Sequence, residues 1–368
     1  MTAVVGMGLV SALGPDKYRS WQRLLDGDTP IRVRQPFAHI PPAPLAMVAD
    51  APADPRRLLL MALTEALQDA GWTLPLPDCG VVIASSRCEQ AVWEQWLAGQ
   101  RQDLDRWLDH LPGRWAGWVA AKVGAKSWVA APMAACASGI WAVATAMEWL
   151  RRGDCSRVIV GAVDAAITPL TLAGFRQMGV LATEGCFPFD QKRQGLVLGE
   201  AAGVLLLAAE ALPKYGWIRG WGCTCDADSP VAPSADTAAA QQAIQTCLAL
   251  AGLAPASCDA IHTHGTGTPH NDRREMQLIQ QLFPESVALL ATKGATGHTL
   301  GAAGLVNVIF SLLALHTQML PPCVGLTQPA FPGRFVRRAQ PATFQFILNL
   351  SFGFGGQNGA VLVARAGA

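Results

Sequence analysis

Cys136 stands in Pro132-Met-Ala-Ala-Cys136-Ala-Ser-Gly-Ile140, where a strand-like run ends among small residues and a helical stretch begins at once. A thiol there would meet unpaired backbone N–H groups and the positive end of a helix dipole, which favour thiolate, and a nearby N–H could hold an oxyanion. The same residues also describe a buried cysteine in a tight turn. His264-Gly-Thr-Gly-Thr-Pro-His-Asn-Asp272 follows the strand-like Ala260–Thr263, at the kind of strand end where α/β sheets carry functional loops. His262 and His270 lie nearby, but a metal site would want a carboxylate cluster that the spacing does not offer. A phosphate loop would want the P-loop lysine or the G-x-G-x-x-G order, and neither is present. In Lys293-Gly-Ala-Thr-Gly-His298-Thr-Leu-Gly-Ala-Ala-Gly304 a lysine and a histidine five apart sit among very small residues, so a core histidine competes there with a crowded reactive site. The glycines of Ser351-Phe-Gly-Phe354-Gly-Gly-Gln-Asn-Gly359 demand unusual backbone angles or close approach, and the two Phe suggest an apolar wall. Together these segments hold a nucleophile, two histidines, a lysine and a glycine-rich loop. That is the inventory of cysteine-based acyl transfer with a proton-handling pair.

The elements that must position these groups alternate. Short Val/Ile/Leu strands (Val81–Ala84, Arg157–Gly161, Val204–Leu207) are separated by Ala-rich helices (Arg57–Ala70, Ser138–Arg152, Ala238–Leu250). Near-continuously apolar strands in such an order imply an α/β layer structure with sheets covered on both faces. A degenerate internal repeat is also readable. Each half has a helix ending at a glycine, Gly71 or Gly252, then a small-residue turn opening an apolar helix, at Cys136 and near His298. Each half closes on a glycine followed by a short apolar strand, after Gly203 and Gly359. This matching puts about 19 extra residues in the first half, in the stretch with Trp93, Trp96, Trp107, Trp115 and Trp118. The junction falls near Ala209–Gly216.

Apolar residues are 51% of the 368 and charged residues 15%, enough for a large dry core. A net charge of +1 disfavours a nucleic-acid binder that works by phosphate neutralisation. Cys223 and Cys225 form a C-x-C without a second ligand pair, so no zinc site is expected. The glycine-interrupted start reads as strand and turn, not a signal peptide, and reduced thiols suit a cytoplasmic chain. The apolar run Gly301–Leu315 carries Asn307 and reads as a buried helix, with no membrane span expected.

With these motifs the chain resembles the β-ketoacyl synthases over nearly its whole length, including Val4-Val-Gly-Met-Gly-Leu-Val-Ser-Ala-Leu-Gly14 and Pro188-Phe-Asp-Gln-Lys-Arg-Gln-Gly-Leu-Val-Leu-Gly-Glu200. The resemblance implies a five-layered α-β-α-β-α thiolase fold of two similar halves. Residues 1–209 would carry the nucleophile and 210–368 the His/Lys/His set. It implies that Cys136 takes an acyl chain from acyl carrier protein, and that His264 and His298 activate malonyl thioester for loss of CO2. Lys293 would orient His298 and tune its electrostatics. The N–H groups of Cys136 and Phe354 would form the oxyanion hole, with the Phe354 side chain as gate. Glu275 matches a structural acidic position. No cofactor is implied, and the partners would be acyl carrier protein, malonyl and acyl thioesters, and a second ketosynthase subunit, identical or related.

The second histidine separates this pattern from initiating synthases with a Cys-His-Asn set, and Ser351–Gly359 lacks the second cysteine of thiolases. The chain departs from the family's usual R-D-G-F at Arg193-Gln-Gly-Leu196 and from G-E-G-A-G at Gly199–Gly203, and Leu350 replaces an Asn. The Trp-bearing stretch, expected to help form dimer and acyl pocket, is atypical. These departures point from housekeeping fatty-acid elongation toward a specialised polyketide or aryl polyene type of pathway. The alternatives are a silent, chain-length-factor-like partner subunit and a thiolase-like enzyme using coenzyme A thioesters.

Overall fold

Short apolar runs bounded by turns form the strands of the computed structural model, which describes residues 1–231, 234 and 236–367. The first half contributes β1 (Thr2–Ser11), β2 (Cys79–Ala84), β3 (Val129–Ala130), β4 (Arg157–Asp164) and β5 (Ala201–Ala208). The second contributes β6 (Gly216–Cys225), β7 (Ala260–His262), β8 (Ala288–Leu290), β9 (Phe346–Gly353) and β10 (Gln357–Ala364). Their order is β3-β2-β4-β5-β1 and then β6-β10-β9-β7-β8, with the short strand Arg334–Phe335 beyond β8. Counting strands within each half gives 3-2-4-5-1 both times. The directions match as well: the inner pairs β2/β4 and β7/β9 are parallel, and the last two contacts of each half are antiparallel.

Hydrogen bonding does not stop between the halves. Thr2, Ala3 and Val4 pair with Ile218, Trp217 and Gly216, so the two five-stranded sets join edge to edge at β1 and β6.

Five layers follow from the helices: α1 (Pro55–Ala70), α2 (Ser138–Arg152), α3 (Ala238–Ala251), α4 (Pro269–Leu282) and α5 (Ala303–Thr317). Helix α1 covers β1, β4 and β5 from outside, and α3 covers β6 and β10. Helices α2 and α5 touch strands of both halves and so form the middle layer. Asp54 caps α1, accepting from the Arg56 N–H with Pro55 in the first turn, and α1, α2 and α3 each end on a left-handed glycine, Gly71, Gly153 and Gly252. Every residue of α5 from Ala303 to Leu315 is buried, as a helix apolar on all sides requires. The segment Leu300–Thr317 is long and apolar enough to cross a membrane, but 89% of it is buried inside the fold.

The middle helices cross at small residues. A Cβ on Gly139 would come within 2.7 Å of the Leu305 backbone N, and one on Gly304 within 2.7 Å of Ile140 Cγ1. Four residues before each glycine the chain takes a left-handed turn without glycine, at Ala135 (φ 46°) and Leu300 (φ 47°). This pairing sets Gly301 opposite Cys136. The sequence matching of Cys136 with His298 was therefore three residues out, because the Lys293–Thr296 helical turn and Gly297 shift His298 ahead of the equivalent point.

The extra length of the first half is real and lies in one crossover. Between Ala84 and Val129 stand 44 residues, against 25 between His262 and Ala288. The longer crossover contains all five tryptophans noted above. Trp93 donates to the His110 carbonyl at 3.1 Å, Trp96 sits edge-on to His110 at 5.1 Å, and Glu89 contacts the His110 ring.

Candidate active site

Cys136 follows the left-handed Ala135 and precedes α2 by one residue. The turn is held by Ser138, whose Oγ donates to the Ala135 carbonyl (2.6 Å) and accepts from the Ala134 N–H (2.9 Å). From the other half, Ser351 Oγ donates to the Cys136 carbonyl at 2.9 Å. Any side chain at Gly353 would come within 3.0 Å of the Cys136 backbone N, so glycine lets the two loops touch. Around the thiol lies an apolar cluster of Ile167, Leu172, Phe175, Leu196, Leu198 and Leu300, with Phe354 packed on it.

This environment corrects one expectation. The helix start and its unpaired N–H groups favour thiolate, yet burial pushes the Cys136 pKa up to about 12 against the opposing pull of Lys293 and Arg87. Only the first turn of α2 acts on the sulfur, whereas desolvation acts on the whole charge. The resting group is a thiol.

His264 lies just past β7, and its loop is gripped from two sides. The buried Glu275 carboxylate of α4 accepts from the His264 N–H (2.6 Å) and the Gly265 N–H (2.8 Å). Lys293 Nζ donates to the His264 carbonyl. Lys293 therefore holds the His264 backbone, and the expected direct orientation of the His298 ring is not seen. Burial lowers the Lys293 pKa and raises that of Glu275, while the attraction of the two charges opposes both shifts. His298 is fixed by its backbone, which pairs with Val197 (2.6 Å) and Gly199 (3.0 Å) of the first half.

The two imidazoles meet edge to face, with ring centroids 5.3 Å apart at 81°. Each keeps a buried Nδ1 without a partner among the described residues. Burial, then the Lys293 charge, holds both pKa values well below the ordinary 6.5, so both rings are neutral. Phe352 packs on His264 at 5.9 Å. The end of β9 thus runs from the thiol loop to the histidine pair, with Ser351 on Cys136, Phe352 on His264 and Phe354, just past the strand, on the apolar cluster that holds the thiol.

His262 does something else. Its two ring nitrogens bond Ser311 Oγ and Thr292 Oγ1, each at 3.0 Å, deep in the core, and burial pushes its pKa down to about 3. Asn307, the polar residue of the apolar run, donates to the Thr263 carbonyl at 3.1 Å. Among the described residues no group of three His, Cys, Asp or Glu could hold a metal. A cleft of about 920 Å³ lies beside the Trp-bearing crossover, lined by Arg56, Glu89, His110, Trp115 and Ile167 among others; Cys136 is not on its wall.

Asp164 escaped the sequence reading. At the end of β4 its buried carboxylate accepts from Ser85 Oγ (2.7 Å), Ser86 Oγ (2.6 Å) and the N–H groups of Ser86 (3.1 Å), Arg87 (3.1 Å) and Gly301 (2.7 Å). It ties the loop after β2 to the start of the middle layer. An acid closing the apolar strand Arg157–Asp164 is the signal that could have found it.

The model of the β-ketoacyl synthase N-terminal domain matches residues 48–211, and that of the C-terminal domain matches 215–327. The mitochondrial 3-oxoacyl-[acyl-carrier-protein] synthase of Arabidopsis thaliana is 30% identical, over 98% of this chain and 92% of its own length. Among solved structures, the ishigamide ketosynthase/chain length factor superposes with a TM-score of 0.90 at 25% identity, over 99% of this chain and 98% of that one. The ketosynthase ApeO in complex with its chain length factor ApeC, from Xenorhabdus doucetiae, gives 0.88 at 27% identity over the same shares.

Proposed function

The chain belongs to the β-ketoacyl synthase family of acyltransferases with the thiolase fold, and on that premise we propose that it catalyses decarboxylative condensation of an acyl group on Cys136 with malonyl-acyl carrier protein. The observation that carries this reading is the end of β9, where Ser351 bonds the Cys136 carbonyl and Phe352 packs on the His264 ring, so that one strand end meets both the thiol loop and the histidine pair.

In this reading the Cys136 sulfur attacks the carbonyl of an acyl-carrier thioester, and the carrier thiol leaves with the cysteine's proton. Malonyl thioester then loses CO2, and the electron pair moves onto its thioester oxygen. Neutral His264 and His298 donate hydrogen bonds to that oxygen; a donor of this kind is worth about 3–4 kcal/mol in a water-poor site. The enolate carbon attacks the acyl carbonyl on Cys136, whose oxygen rests on the N–H groups of Cys136 and Phe354. Collapse breaks the C–S bond and expels the Cys136 thiolate, which takes up a proton from solvent to regain the resting thiol. Lys293 and Glu275 act as positioning residues for the His264 loop. Two halves, 1–209 with the thiol and 210–368 with the histidines, suit the repeated strand order. Ten free cysteines suit a reducing cytoplasm.

A polyketide or aryl polyene type of pathway fits better than housekeeping elongation, given the altered Arg193–Leu196 and Gly199–Gly203 segments. Likeness to proteins solved with chain length factors favours a second reading, a silent partner subunit in a heterodimer. One experiment separates them: incubate the protein with acyl carrier protein thioesters and measure mass added at Cys136. Acylation lost in Cys136→Ala, with decarboxylation retained in Cys136→Gln, supports the synthase. No acylation, with a second ketosynthase co-purifying, supports the partner subunit. Turnover of acetoacetyl-coenzyme A but not of malonyl-loaded carrier would instead mark a thiolase.

A further inference from the structure

The apolar cluster that holds the thiol is met by a cation from the loop after β2. The loop Ser85–Arg87 is fixed through Asp164, which accepts from the Arg87 N–H at 3.1 Å. From there the Arg87 guanidinium reaches over the Phe175 ring, 5.6 Å from its centroid. Phe175 is buried in the cluster that contains Cys136 and stacks on Phe354 at 6.0 Å. A guanidinium over an aromatic face keeps its in-plane N–H fork open to bidentate acceptors. Arg87 is exposed, and its recorded side-chain partner is Gln90 Oε1 at 3.4 Å. Among the described residues no carboxylate pairs with it, unlike Arg23, Arg56, Arg101 or Arg274.

Resting on the synthase reading above, we propose that Arg87 is a specificity residue that selects acyl groups carrying an oxygen acceptor, keto or carboxylate, for loading onto Cys136. A methyl-ended chain lying over Phe175 would strip water from the guanidinium and return no hydrogen bond. A chain with an oxygen at that point satisfies the fork. Its charge also reaches the thiol, where it is one of two cations that lower the pKa.

The test uses carrier-protein thioesters in a graded set of lengths, each made with a terminal methyl, methyl ketone or carboxylate. Mass gained at Cys136 over time gives a ratio of loading rates within one protein sample, so any loss of folded fraction cancels. Wild type should load an oxygenated member about ten- to a hundredfold faster than its methyl counterpart, the worth of a charge-assisted hydrogen bond. Arg87→Ile should bring that ratio to one or below, and Arg87→Lys should keep part of any carboxylate preference. The ketone and carboxylate arms tell a neutral acceptor from an anion. Equal ratios in wild type and Arg87→Ile, with Cys136 still acylated, overturn the role of Arg87 and leave the synthase reading standing. No acylation by any member removes the reading on which the role rests.

Discussion

The turn at Cys136 and the turn at Gly301 occupy matching places in two halves with the same strand order, yet they hold opposite kinds of chemistry. Both begin with a left-handed residue, Ala135 or Leu300, and both lead to a glycine where the middle helices cross. The first is lined by apolar side chains and holds a neutral thiol. The second is preceded by a buried cation, Lys293, whose carboxylate counterpart Glu275 lies across the His264 backbone. The duplicated scaffold fixes where a reactive turn can stand; what the turn does is decided by the few residues before it and by the crossover facing it.

If the second half depends on its charged clamp, Glu275→Gln should cause the largest loss. It strands the Lys293 charge and removes one acceptor from the His264 and Gly265 N–H groups, at a cost of about 3–5 kcal/mol in stability. Urea unfolding would show it as a lowered midpoint at an unchanged slope. A change under 1 kcal/mol would mean that the clamp is incidental.

The histidines give the next contrast. In a Cys136→Gln background, His264→Ala should slow malonyl decarboxylation by about 100- to 1000-fold. His262→Ala should leave that rate within a few fold per folded molecule and act on stability, because both its nitrogens are already bonded to Ser311 and Thr292. Equal kinetic losses at the two positions would show that hydrogen-bond saturation does not separate core from reactive histidine here. Burial keeps the His264 and His298 rings neutral, so neither ring should add a protonation step to the decarboxylation rate as pH falls from 8 through 6.5.

At the shared crossing, Gly139→Val should cost about 1–3 kcal/mol by pushing α2 from α5. Thermal unfolding would register it, and Gly304→Val should match it if the two halves pack symmetrically.

Much of this was legible in the sequence. The helix Ser138–Arg152 has the bounds its Ala-rich pattern gave, and the surplus of the first half lies in the stretch with the tryptophans. The end of β9 meets the Cys136 loop and the His264 ring, and His298 and Lys293 each meet His264. What escaped depends on partners without a sequence signature. Lys293 bonds a backbone carbonyl, which any residue could supply. Asp164 serves N–H groups from two distant loops. The offset of His298 from Gly301 depends on a short helical turn among small residues that no periodicity marks. Desolvation of the thiol is a property of the assembled cluster, whereas the cysteine's place at a helix start is local, and so the local signal misled.

That last point yields the smallest and most direct test of the asymmetry between the two turns. A Cys136 pKa near 12 leaves a thiolate fraction of about one in 100,000 at pH 7. Because the shift is upward, raising the pH increases the reactive form, by tenfold for each unit well below the pKa. Alkylation of Cys136 by iodoacetamide, followed by intact mass, should therefore climb about tenfold per pH unit from 7 to 9 without levelling. Lys293→Met removes the cation that most opposes burial at the sulfur, so it should slow alkylation further at every pH. A plateau reached by pH 8 would mean that cations and helix end outweigh desolvation, and that the first turn is as highly charged a site as the second.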